Sequence, residues 1–218
     1  LNRLDKDRQT FTRYVYDEAN ENGVGARVIQ SLFEDSKGIL WIGTYNNGLD
    51  KFDPATGIFT HYRHNPANGN SLSNNSIYSI YESADGYLWI GTKGGLNKFD
   101  PATDTYTHYR REQGLSNDTV MGVVGDQAGF LWLTTNDGLN SFDPAKETFS
   151  VYQFADGLQN NEFSSGAYGK TRLGEILVGG INGFNLFDPQ DIKDDQTVPA
   201  IVFSDFLLNN QTIPIHPD

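Results

Sequence analysis

The sequence predicts an all-β chain made of four-stranded antiparallel β-propeller blades, a partial propeller, and three observations carry that prediction. A motif recurs along it: LWIGT at Leu40–Thr44 and Leu88–Thr92, LWLTT at Leu131–Thr135, and the divergent ILVGG at Ile176–Gly180. Phe-Asp-Pro follows each copy, at Phe52, Phe99, Phe142 and Phe187, which defines a unit of roughly 43 to 48 residues, the length of one propeller blade. Composition agrees: Gly 23, Phe 14, Tyr 11 and Trp 3 of 218 residues, with no stretch that sustains an i, i+3, i+4 apolar pattern.

Taken in order, residues 1–16 hold only the third and fourth strands of a blade, because 1–5 align with 96–100 and 11–14 with 106–109. Full blades follow at 28–63, 77–110 and 120–152. Their strands A to D fall at 29–34, 39–44, 49–52 and 59–63; at 77–82, 87–92, 96–99 and 105–110; and at 120–126, 130–135, 139–142 and 148–152. Asp85-Gly86 is a strong hairpin signal between A and B, and the Pro of Phe-Asp-Pro presets the turn between C and D. A terminal blade at 163–188 supplies A, B and C at 163–168, 175–180 and 183–187, with Leu177 where Trp is expected. An Asp-rich connector at 190–197 leads to 198–218, a different element. The first residue is Leu1 and falls inside a repeat, so the chain is expected to be a piece of a longer protein.

Packing explains the residue types. Strand A should lie innermost, where the small residues Ser31, Ser79, Gly122 and Ala167 allow close approach, and strand D outermost, with Tyr62, Tyr109 and Tyr152. Trp41, Trp89 and Trp132 fill the wider space between blades, each burying about 150 to 250 Å².

The formal charge of −12, spread without a Lys/Arg cluster, opposes binding to a phosphate backbone or an anionic membrane, so no nucleic-acid partner is expected. With no Cys, thiolate metal sites and thiol nucleophiles are excluded. His61 and His108 share one strand D position in Thr-His-Tyr, which reads as structural, and His64 and His216 lack partners at ligand spacing. Asp53, Asp100, Asp143 and Asp188 are turn residues. No catalytic residue, metal ligand or cofactor is implied.

Comparing repeats within the chain separates scaffold from candidate site. The A–B and C–D turns barely change. The D–A connections (DEANENGVGAR, HNPANGNSLSNNS, REQGLSNDT, FADGLQNNE) and the B–C turns (TYNNG, TKGG, TNDG, GING) vary, and strand alternation puts both sets on one face. Their Asn, Asp, Arg and Tyr suit a hydroxyl-rich ligand. The candidate ligand-binding residues are Arg27, Tyr45, Asn47, Asn75, Lys93, Asp118, Asn136, Asn161 and Asn182.

The runs EDSKGILWIGTYNNGLDKFDP, Asp-x-x-Gly-x-Leu-Trp-Ile-Gly-Thr, Gly-Leu-Asn-x-Phe-Asp-Pro and Thr-His-Tyr recur together and in order over residues 1–189. In this the chain resembles the two-component regulator propeller repeats. Thr134 in place of Gly and the Trp-less last repeat depart from the pattern as ordinary drift and a terminal blade. The resemblance implies the extracytoplasmic, periplasmic sensor region of a bacterial transmembrane signalling protein. It would bind a glycan or similar ligand without catalysis and relay to a histidine kinase or cyclase. It also implies that 198–218 open a tyrosine-rich immunoglobulin-like domain. The alternatives are a propeller lyase acting on a glycan or streptogramin-like substrate, and a protein-interaction scaffold. Open blade edges are expected to favour self-association over closure into a four-bladed ring.

Overall fold

Each repeat folds into a meander because its turns are encoded locally. The computed structural model describes residues 1–4, 9–20 and 22–192, together with the strands Phe206–Leu208 and Gln211–Ile213. A hairpin, β1 (Asn2–Leu4) with β2 (Phe11–Arg13), opens the chain. Three four-stranded antiparallel sheets follow: β3 (Ile29–Glu34), β4 (Leu40–Thr44), β5 (Leu49–Asp53) and β6 (Ile58–Tyr62); β7 (Ile77–Glu82), β8 (Leu88–Thr92), β9 (Gly95–Asp100) and β10 (Thr105–Tyr109); β11 (Val120–Gly125), β12 (Leu131–Thr135), β13 (Leu139–Asp143) and β14 (Thr148–Tyr152). The last blade has three strands, β15 (Phe163–Lys170), β16 (Ile176–Gly180) and β17 (Gly183–Phe187).

The first strands of successive blades touch, β3 with β7, β7 with β11 and β11 with β15, and β7 also reaches β15. Strand A is therefore innermost and the arrangement is that of a propeller. Among the described residues β1 and β2 pair with each other, and Tyr14 packs that hairpin onto the next blade with its ring 5.0 Å from Phe52. The proposed opening of a further domain at 198–218 lies largely outside the described residues; within it β18 (Phe206–Leu208) pairs with β19 (Gln211–Ile213).

The three tryptophans occupy equivalent buried positions, at 1, 2 and 4% exposure for Trp41, Trp89 and Trp132. Each wedges against the strand C Phe of the following blade: Trp41 to Phe99 at 5.8 Å, Trp89 to Phe142 at 5.6 Å and Trp132 to Phe187 at 4.9 Å. Each indole N–H has an acceptor in its own A–B turn: Asp35 at 2.8 Å, Ser83 at 3.1 Å and Asp126 at 3.0 Å. The last blade loses both partners together, since Leu177 replaces the indole and Thr171 stands at the acceptor position, donating instead to Glu175 at 3.1 Å. In the C–D turns Asp53, Asp100 and Asp143 accept from the backbone N–H of Ala55, Ala102 and Ala145 at 2.8, 2.8 and 3.0 Å, the expected turn role. Those bonds hold the Asp53 and Asp100 carboxyls below the ordinary carboxylate range.

Around the axis, room is set pairwise. Ser31 lies opposite Gly43 and Ser79 opposite Gly91. A Cβ on Gly43 would collide with Ser31 Oγ and lie 2.7 Å from Ile77 Cγ2 of the next blade; one on Gly91 would collide with Ser79 Oγ and lie 2.8 Å from the Val120 carbonyl. In the third full blade the order is exchanged, Gly122 facing Thr134. Thr134 is therefore not drift but half of a compensated swap, and Tyr168 of the last blade covers Gly122, where a Cβ would sit 2.5 Å from its ring. Gly91→Ala should cost about 1 to 3 kcal/mol of stability in urea unfolding. Adding Ser79→Gly should restore part of the loss and not all of it, because the Val120 carbonyl stays in place.

Candidate functional site

The variable face rests on a buried polar network repeated from blade to blade. Asn97, on strand C and fully buried, accepts from the Ser73 N–H at 2.8 Å and donates to Ser73 Oγ at 2.8 Å. That hydroxyl lies 2.9 Å from Thr92 Oγ1, which donates to the Gly95 carbonyl and accepts the Gly94 N–H, each at 2.9 Å. Asn140, Ser116 and Thr135 repeat this at 2.9, 2.8 and 3.0 Å, and Asn185 accepts from the Gln159 N–H at 3.0 Å. The network ties each D–A connection to its own blade. B–C turns are tied to the same connections: the N–H groups of Gly48, Gly95 and Gly138, all at positive φ, donate to the carbonyls of Asn75, Asp118 and Asn161 at 2.7 Å.

The first full blade differs. Asp50 replaces the amide and Gly25 the serine; Asp50 Oδ2 accepts the Gly25 N–H at 2.6 Å, while Oδ1 meets His61 Nδ1 at 2.7 Å and Arg63 Nη2 at 2.9 Å. Arg63 and His61 thus compensate a carboxylate with no exposure of its own. His108, at the corresponding strand D position, donates from Nε2 to the Ser71 carbonyl at 2.8 Å, and burial lowers its pKa.

The predicted site residues fall into two groups. Side chains of Asn75, Asp118 and Asn161 accept the N–H groups of His64, Arg111 and Phe154 at 2.7, 2.9 and 2.7 Å, and Asn47 donates to the Gly25 carbonyl at 2.5 Å. These four are engaged in holding the loops. Arg27, Tyr45, Lys93, Asn136 and Asn182 are exposed. Arg27 sits 5.4 Å from the Tyr16 ring and lines a cavity of about 700 Å³ with Tyr14, Tyr16 and Val24. Tyr45 is 50% exposed.

Sequence comparison passed over a third set. Every strand A breaks register near its start, between Ile29 and Ser31, Ile77 and Ser79, and Val120 and Gly122, so Gln30, Tyr78 and Met121 are bulged out of the ladder. Bulges re-aim side chains and recur beside functional sites. Tyr78 and Met121 are half-buried between buried neighbours. The Tyr78 hydroxyl is pushed up in pKa, first by burial and then by the charge of Tyr45. At these bulges the sequence reads Ile-Gln-Ser, Ile-Tyr-Ser and Val-Met-Gly, and the middle residue changes most in chemical character.

The sequence profile described as two component regulator propeller matches residues 23–46 and 71–94, each spanning the end of a D–A connection through strand B. Two of the chain's repeats are thus similar to the two component regulator propeller repeat. The extracellular domain of the hybrid two-component system BT3049 from B. thetaiotaomicron is similar at 27% identity and TM-score 0.74, over 94% of this chain and 29% of that one. That of BT4673 from the same organism is similar at 25% identity and TM-score 0.67, over 77% and 24%. The chain thus spans less than a third of the length of either of these extracellular domains. Virginiamycin B lyase from Staphylococcus aureus, at 14% identity, TM-score 0.58 and coverage of 74% and 53%, shares the fold alone. No curated protein matches significantly.

Two outcomes check the scaffold of these repeats. Asp50→Asn leaves Arg63 without its counter-charge and should cost about 1 to 3 kcal/mol in urea unfolding. Burial holds the His108 pKa in the fold below the 6.5 at which the unfolded residue titrates. Below that pH the unfolded chain takes up a proton the folded one resists, so stability should fall as pH drops from 7.5 to 5.5. His108→Gln should remove that component from the pH profile of the urea midpoint.

Proposed function

We propose that this chain is part of the extracytoplasmic sensor region of a bacterial two-component signalling protein, non-catalytic itself, which binds a hydroxyl-rich ligand such as a neutral oligosaccharide. The reading is supported by the two stretches that match the two component regulator propeller, together with the half-buried, bulged Tyr78 and the exposed Tyr45, Lys93, Asn136 and Asn182 of the variable B–C turns. An aromatic surface takes the apolar face of a sugar ring, and amide and ammonium groups around it hydrogen-bond the hydroxyls. Rigid blades hold these groups, so occupancy alters the loops and, through them, the orientation of whatever domain follows. The periplasm is the compartment this implies, and a kinase or cyclase the output.

Calorimetry of the 218-residue chain against matched neutral and sulfated oligosaccharides tests this. Neutral members should bind better, since the net charge of −12 opposes polyanions. Tyr78→Ala and Tyr45→Ala should each weaken binding by about tenfold. Preferred binding of the sulfated members, indifference to both substitutions, or turnover of the sugar by the chain would each overturn the proposal.

A further inference from the structure

Opposite the strand B tryptophan, strand C carries a residue that changes character between blades. Trp41 faces Lys51 and Trp89 faces Lys98, whereas Trp132 faces Ser141. Lys51 Nζ lies 5.8 Å from the Trp41 ring centroid. Lys98 Nζ lies 5.5 Å from the Trp89 ring and 3.9 Å from that of Tyr87. Both are ammonium groups over aromatic faces, attracted by the ring quadrupole. Phe130 holds in the third full blade the place of Tyr87, each in Gly-aromatic-Leu-Trp, so the aromatic half of the arrangement is retained where the cation is lost.

The consequence is space. A groove of about 470 Å³ opens there, bordered by Phe130, Trp132, Tyr152, Ser141, Ser150 and Asp188. It lies on the face of the A–B and C–D turns, away from the B–C turns discussed above. Across the sheet the register runs Trp132, Ser141, Ser150, where the preceding blades run Trp, Lys, Thr. Two hydroxyls therefore stand where a lysine stem and a threonine stand elsewhere. Asp126 also borders the groove and fixes the indole through the 3.0 Å bond to its N–H. Two carboxylates and no lysine or arginine border it among the described residues, which favours a cation.

We propose that this groove is a binding site for a small organic cation, whose alkylammonium head takes the place over Phe130 and Trp132 that a lysine side chain takes in the two preceding blades. The apolar stem of such a ligand lies along Tyr152 and Pro189, and the hydroxyls of Ser141 and Ser150 accept from a primary ammonium. The site is independent of the loop face, so it stands or falls separately from the sensor reading.

Three tryptophans give three indole N–H signals in a nitrogen-labelled sample of the whole chain. Titration with butylammonium chloride should move the Trp132 signal in a saturable way and leave those of Trp41 and Trp89 in place. The uncharged isostere 1-butanol should bind about tenfold more weakly. Ser141→Lys fills the groove from within and should weaken butylammonium binding by at least about tenfold, and Lys98→Ser should make the Trp89 signal responsive. Equal binding of 1-butanol, a shift shared by all three indoles, undiminished binding by folded Ser141→Lys, or a silent Trp89 in Lys98→Ser would each overturn the proposal.

Discussion

A buried amide on strand C, bonded at both ends of its side chain to the serine that precedes strand A, is the contact on which the loop face depends. Asn97 and Asn140 satisfy a backbone N–H and a hydroxyl that would otherwise be buried without partners, and each links onward through Thr92 or Thr135 to its B–C turn. Such a network is worth most when every member is satisfied and costs most when one is missing. The first full blade illustrates the rule by exception. With Asp50 the amide donors are gone, and the serine gives way to Gly25, whose missing Cβ leaves the room that Asp50 and Arg63 occupy. His61 and Arg63 then donate where the amide donated elsewhere.

Much of this was legible in the sequence because the repeats encode it locally. Strand order, the burial of Trp41, Trp89 and Trp132, and the turn role of the Phe-Asp-Pro aspartates follow from alternation, residue size and turn chemistry. What was not legible depends on contacts between residues far apart in the chain. Thr134 reads as drift until Gly122 is seen opposite it, and Asn75, Asp118 and Asn161 read as ligand groups until their loop hydrogen bonds are seen. Bulged residues such as Tyr78 escape a strand-by-strand reading because a bulge is a property of a pair of strands.

Variation within the scaffold is therefore of two kinds. Some exchanges are compensated, as with Asp50 and its basic partners, and keep the buried network satisfied. Others are not: the middle residue of the strand A bulge changes from Gln30 to Tyr78 to Met121, and the strand C lysine becomes Ser141, which borders a groove. Only the second kind changes what the surface presents, and it occurs on both faces of the blades.

The exchanged pair Gly122 and Thr134 has a consequence for how such a gene can be rearranged. Tandem repeats invite unequal crossing-over, and most junctions between these units would rejoin equivalent halves, Trp meeting Phe as before. A crossover between strands A and B of the second and third full blades would instead unite Ser79 with Thr134, or Gly122 with Gly91. One product is crowded at the axis and the other hollow there. A swap of two small side chains thus marks these neighbouring units as no longer interchangeable, and gives the array a fixed order that its repeated motif alone would not impose.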